Sequence, residues 1–157
     1  MSTEASVRTF FSSPSFAVVG ASSNPDKYGH KVFAWYTSHS LPAHPINPST
    51  PQISVSGTNY ATIPSLSALP DPKNTSVSII TPPKATLAVL KEARGLGVPS
   101  VWMQPGSFDD DVLKFAREGE AKDGGFKAVV AGDGGRGGEG WCVLVDGERG
   151  LTAAGKL

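Results

Sequence analysis

The stretch Phe16-Ala17-Val18-Val19-Gly20, followed by Ala21-Ser22-Ser23-Asn24-Pro25, organises the rest of the chain. Its first half is a short apolar run closing on glycine, which fits a strand buried on both faces, as in a parallel sheet. Its second half is a loop by composition. A helix over 29–40 follows, with Val32, Phe33 and Tyr36 spaced for one face. The same alternation then repeats. Strands are predicted at 43–46, 77–81, 100–104 and 127–131, and helices at 83–96 and from 107 to about 118. Pro82-Pro83 opens the first of these helices and Gly97 closes it, while Ser107 and Asp109 to Asp111 mark the start of the second.

Strand and helix in alternation predict a doubly wound α/β domain, its five-stranded parallel sheet covered on both faces and ordered 3-2-1-4-5. The chain has 157 residues and reads as one domain, with a core over about 12–131. Before it, residues 1–15 read as a short amphipathic turn or helix ending at Pro14. Between 47 and 76, five prolines exclude a long helix, and at most a turn or two near 64–69 is expected. From Val32 to Pro70 there is no charged residue, so this stretch is expected to lie over the protein or over a ligand. Residues 132–140 hold six glycines in nine and read as a mobile loop. The apolar run 141–145 before Asp146-Gly147 is expected to add a strand at one sheet edge, within a tail running to 157.

Composition removes several functions. Lys+Arg and Asp+Glu are 14 each, so the chain lacks the basic footprint of a general nucleic-acid binder. No apolar run approaches a membrane span of roughly 20 residues, and the opening segment carries Glu4 and no apolar core of a secretory signal. One cysteine, Cys142, excludes an intrachain disulfide or a cysteine-rich zinc site. A cytoplasmic protein is expected.

In a doubly wound sheet, ligands bind beyond the carboxyl ends of the strands. The small-residue loop Gly20-Ala21-Ser22, running into a helix with Lys27, His30 and Lys31 nearby, is suited to a nucleotide phosphate. It matches neither the Walker A pattern nor Gly-x-Gly-x-x-Gly, because Ser22 stands at the second glycine position. At the end of the second strand, Asn47-Pro48 offers no acid for a ribose diol, but suits an adenine or ribose pocket. Thr81-Pro82-Pro83 suits a flat base equally as it suits helix initiation, and Gln104-Pro105-Gly106 reads as a sharp turn out of a strand.

Val18 to Pro25, Ile46-Asn47-Pro48, Thr81-Pro82-Pro83 and Val101-Trp102-Met103-Gln104-Pro105-Gly106 occur in this order over about residues 12–120. Together they resemble the single-domain coenzyme A-binding proteins, which are similar to the CoA-binding domain of the succinyl-CoA synthetase alpha subunit. The resemblance implies a Rossmann-like fold and coenzyme A, or an acyl-CoA, as ligand. It implies that Gly20, Ala21 and Ser22 meet the CoA phosphates. Asn47, Pro48, Thr81, Pro82 and Pro83 would surround the nucleotide end, with Gln104 nearby. Members of that family often carry Arg where Ser23 stands and Lys where Ser49 stands, which leaves Lys27 and Lys31 as the cations beside the loop. No nucleophile or acid–base pair emerges from the sequence, so a binder without catalysis is expected. An NAD(P)-dependent oxidoreductase and an interaction protein with a vestigial nucleotide pocket are the alternatives.

Overall fold

The computed structural model describes residues 2–157. Helix α1 (Glu4–Phe11) leads into strand β1 (Ser15–Val19), and α2 (Tyr28–Ser38) into β2 (Ala43–Ile46). A hairpin of β3 (Gln52–Val55) and β4 (Thr58–Ala61) and two short 3-10 turns precede β5 (Thr75–Ile79). Then come α3 (Pro83–Leu96), β6 (Ser100–Met103), α4 (Asp110–Arg117), β7 (Ala128–Val130) and α5 (Val143–Ala153).

Five parallel strands form one sheet in the order β2-β1-β5-β6-β7. In the numbering of the five predicted strands this is 2-1-3-4-5, and it corrects the expected 3-2-1-4-5. The expected order would place 43–46 between two strands. Pro45 sits inside β2 and has no N–H to donate, which suits an edge strand instead. The connection from 47 to 74 is long enough to cross β1, so β5 pairs with β1 on the side away from β2. The winding therefore reverses between β1 and β5, which opens a crevice at the carboxyl ends of those two strands.

Alternation along β1 divides the core. Ala17 and Val19 pack with Val77, Ile79, Leu90, Met103 and Phe126 on one side of the sheet. Phe16 and Val18 pack with Phe10, Phe11, Phe33, Tyr36 and Trp102 on the other. Buried polar groups on β5 are paired: Ser76 donates to the Phe10 carbonyl at 2.7 Å, and the Tyr36 and Ser78 hydroxyls lie 2.6 Å apart.

Three further elements depart from the sequence reading. The segment 141–145 is not an edge strand; α5 begins at Val143. Its buried positions Val143, Asp146, Gly147, Gly150 and Leu151 follow helical spacing. Two of them are glycines because a Cβ on Gly147 would lie 2.3 Å from the Trp35 ring, and one on Gly150 would lie 2.3 Å from Val7. Two glycines standing where a helix normally shows apolar side chains disguise the period. The hairpin β3–β4 was not expected either; its turn holds Ser56 and Gly57 at φ 53° and 79°, the conformation that two-residue hairpin loops need. Finally, Asp109 and not Ser107 caps α4, accepting from Val112 N–H at 2.9 Å, while Ser107 donates back to the Gln104 carbonyl.

The glycine-rich segment 132–140 is anchored at both ends. Trp141 N–H donates to the Gly132 carbonyl at 2.9 Å. The fully buried Asp146 carboxylate accepts from Arg136 N–H at 2.9 Å and Cys142 N–H at 3.1 Å.

Candidate functional site

The loop after β1 is held from three sides. Gly20 stands at φ 97°, donates from its N–H to the Ile46 carbonyl at 3.3 Å, and lies so near β5 that a Cβ would meet Ile80 backbone at 3.4 Å. Helix α2 abuts the same turn: a Cβ on Gly29 would lie 1.8 Å from the Gly20 carbonyl oxygen. The end of β2 supplies the third support. Asn47 Nδ2 donates to the Ala21 carbonyl at 3.0 Å, and its Oδ1 accepts from Ser49 N–H at 2.8 Å and Thr50 N–H at 3.2 Å.

Within the loop, Ser22 Oγ accepts from Asn24 N–H at 3.1 Å, and Asn24 Oδ1 accepts from Asp26 N–H at 3.0 Å. His30 Nδ1 lies 3.0 Å from the Ser22 carbonyl, which can only accept, so this ring nitrogen carries the proton. Among the described residues, the N–H groups of Ala21, Ser22 and Ser23 have no hydrogen-bond partner. Lys27 is the N-cap of helix α2 and makes no side-chain cap bond. The turn thus offers unengaged backbone donors beside a helix N-terminus, the arrangement that attracts an anion.

Beside this turn lies a cavity of about 350 Å³. Val19, Gly20, Ala21, Ser22, Lys27, Ile46, Asn47, Pro48 and Thr81 line it from the strand ends. Pro64, Ser65 and Leu66 close it from the uncharged connection, and Ala85, Val89 and Glu92 form its α3 wall. Lys27 and Glu92 are its two charged lining residues, and Glu92 Oε2 accepts from Ser67 Oγ at 2.7 Å. Thr86 donates to the Thr81 carbonyl at 3.0 Å, so the Thr81 hydroxyl must donate to Thr86 Oγ1 at 2.8 Å. Thr81 Oγ1 is then left as an acceptor.

Seven sequence candidates therefore share one cavity: Gly20, Ala21, Ser22, Lys27, Asn47, Pro48 and Thr81. The other five do not line it. Ser23 Oγ accepts from Ser54 N–H at 3.0 Å and so ties the β3–β4 hairpin to the loop. Lys31 is exposed, its ammonium 5.5 Å from the Tyr28 ring centroid. Pro82 and Pro83 occupy the cap and first position of α3. Gln104 is buried; its Oε1 accepts from Val143 N–H at 3.2 Å and positions α5. Sequence reasoning missed Pro64, Ser65, Leu66, Ala85, Val89 and Glu92. The last three recur at helical spacing along α3, a signal that was available.

Cys142 lies at the start of α5, where burial pushes its thiol above the usual range. No group of three or more potential metal ligands occurs among the described residues, and no helix among them is long and apolar enough to cross a membrane.

The five-stranded parallel sheet with helices on both faces and a site at the point of reversal is a Rossmann-like arrangement. The chain belongs to the CoA binding domain family, whose model matches residues 14–130. Among solved structures it is similar to a hypothetical protein from Pyrococcus horikoshii OT3, at 26% identity and TM-score 0.73, covering 96% of this chain and 93% of that one. It is also similar to a conserved hypothetical protein from Pyrococcus furiosus, at 31% identity and TM-score 0.58 over 66% of this chain and 85% of that one. A Thermus thermophilus structure shares the fold, at 24% identity and TM-score 0.71 over 96% and 99% of the two chains. No curated protein matches the chain.

Proposed function

We propose that the protein is a cytoplasmic binding module that holds coenzyme A, free or acylated, by its nucleotide end in the cavity between β1, β2 and α3. The observation that carries this reading is the unengaged N–H groups of Ala21, Ser22 and Ser23 beside Lys27, in a chain of the CoA-binding family. A pyrophosphate satisfies such donors, and the start of α2 adds a favourable dipole. Pro48, Pro64 and Leu66 supply apolar contact for a flat base. Glu92 repels phosphate and accepts hydrogen bonds, so the wall it shares with Ser65 suits an exocyclic amine and not an anion.

The residues fit this ligand better than a nicotinamide dinucleotide. An NAD site places an acid at the end of the second strand to accept from both ribose hydroxyls. Here that position is Asn47, whose amide must donate to Ala21 while its oxygen accepts two N–H groups. A carboxylate could not make the first bond. The cavity lining holds backbone donors, one lysine, hydroxyls and a carboxylate hydrogen-bonded to Ser67, groups that serve to hold a phosphate and a base.

The test is thermal denaturation with CoA, acetyl-CoA, palmitoyl-CoA, NAD, NADP and ATP. A CoA species at 100 times its dissociation constant stabilises by about 2.7 kcal/mol. Tighter binding of NAD than of CoA supports an oxidoreductase instead, and no binding at millimolar concentration supports a vestigial pocket.

A further inference from the structure

The opposite end of the sheet carries a feature that the CoA cavity does not explain. Ser100 opens β6 and is fully buried, yet its hydroxyl has no hydrogen-bond partner among the described residues. An unpaired buried hydroxyl is costly, and native structures leave few of them. β6 lies between β5 and β7, and the register sets Ser100 opposite Ala128. Lys73 lies in the turn ahead of β5, and Lys127 directly ahead of β7. Ser100, both lysines, Ser12 and Ser13 line one recess of about 210 Å³.

A second recess of about 330 Å³ adjoins it and shares Lys73, Pro99 and Lys127. Arg94 lines this second recess. Its Nη2 donates to the Phe115 carbonyl at 2.7 Å, but its Nε is buried without a partner. Ser100 and the two lysines thus share a recess that no Asp or Glu lines, while Arg94 lines only the second recess, its Nη2 also near the Ala116 and Glu118 carbonyls. None of the three cations belongs to an ion pair among the described residues. Glu120 lines a neighbouring depression with Lys127, but Arg117 holds one of its oxygens at 3.0 Å and Val129 N–H the other at 2.9 Å.

We propose that the amino-terminal ends of β5, β6 and β7 form a second anion site, which binds a phosphate group between Lys73 and Lys127 with Ser100 donating to one of its oxygens. Hydroxyl donors and compact ammonium charges are the usual company of a phosphate, and the recess is polar enough to hold one. The site lies about a strand's length, roughly 16 Å, from the Gly20–Ser22 loop, so the two anion sites fill independently.

The experiment is a titration of the full chain followed by amide NMR, with inorganic phosphate in one arm and glycerol 3-phosphate in the other, sodium chloride holding ionic strength constant. Saturable shifts at Ser100, Val101 and Lys127 are expected in at least one arm, and the tighter arm tells a free phosphate from a phosphomonoester. Shifts confined to Ala21–Ser23 report the other site and overturn the proposal. The variant Lys73→Ala/Lys127→Ala changes exposed side chains, and should weaken binding at Ser100 by about tenfold or more. Ser100→Ala, which keeps the strand, should weaken it by about threefold or more. Saturable binding that both variants leave unchanged overturns the proposal, as does the absence of saturable shifts at Ser100, which would leave only water to pair its hydroxyl.

Discussion

Asn47 Nδ2 donates to the Ala21 carbonyl at 3.0 Å, so the end of β2 grips the loop that follows β1. The bond joins the two sequence motifs, Gly20-Ala21-Ser22 and Asn47-Pro48, into one wall of the cavity. It also explains why a neutral amide stands where dinucleotide enzymes place an acid.

Replacing Asn47 with Asp tests this directly. The carboxylate keeps its bonds from Ser49 and Thr50 but faces the Ala21 carbonyl with no proton to give. A half-satisfied backbone group costs about 1–3 kcal/mol. Calorimetry should show CoA affinity about tenfold lower or worse, with no gain in NAD affinity. A variant that binds NAD more tightly than CoA contradicts the bracing role.

Gly29→Ala probes the contact between α2 and the loop. The new Cβ would lie 1.8 Å from the Gly20 carbonyl oxygen, so backbone must move. Denaturant unfolding should show a loss of about 1–3 kcal/mol. Gly95→Ala in α3 is the control: its Cβ meets nothing within 4 Å, and it should stabilise by about 0.5–1 kcal/mol. Equal effects at the two sites contradict the close packing.

Lys27 and Lys31 should separate in binding. Lys27 lines the cavity and Lys31 does not. Lys27→Ala should therefore lower CoA affinity several-fold and flatten its salt dependence, whereas Lys31→Ala should leave both near wild type. Titrations at two ionic strengths decide the matter.

Tyr36 gives a prediction for alkaline pH. Its phenol is fully buried, and burial pushes it above the ordinary tyrosine range despite the hydrogen bond to Ser78. The neutral form is favoured in the folded state. Its contribution is complete below the unfolded tyrosine pKa of about 10 and is lost as pH rises above it. Tyr36→Phe should cost about 1 kcal/mol at neutral pH and reduce the stability loss between pH 10 and 12. An unchanged alkaline slope contradicts this assignment.

Much of this architecture was legible in the sequence. All five sheet strands were legible, β1, β6 and β7 as short apolar runs, and β2 (Ala-His-Pro-Ile) and β5 (Thr-Ser-Val-Ser-Ile) from their apolar residues and flanking turn signals despite their polar positions. The order was misread because local pattern does not say which side of β1 a strand joins, although Pro45 already pointed to an edge for β2. Helix α5 hid because Gly147 and Gly150 fill its buried stripe, and their role exists only against Trp35, Val7 and Phe11. At the site, the turns were readable from small residues after strands. The Pro64–Leu66 wall was not, because its place over the cavity depends on a long connection whose path only tertiary structure fixes.

The central claim is that the Gly20–Ser23 turn receives the phosphates of coenzyme A. Calorimetric titration of the wild-type chain and of Ser22→Glu with CoA tests it most directly, with unfolding curves as a check on the fold. Ser22 is half-buried at the cavity edge, and its hydroxyl makes one local bond, to Asn24 N–H at 3.1 Å. Its replacement should therefore cost the fold only about 1 kcal/mol, while a carboxylate set against phosphate should abolish measurable CoA binding. Wild-type affinity in a folded Ser22→Glu protein would show that the phosphates lie elsewhere.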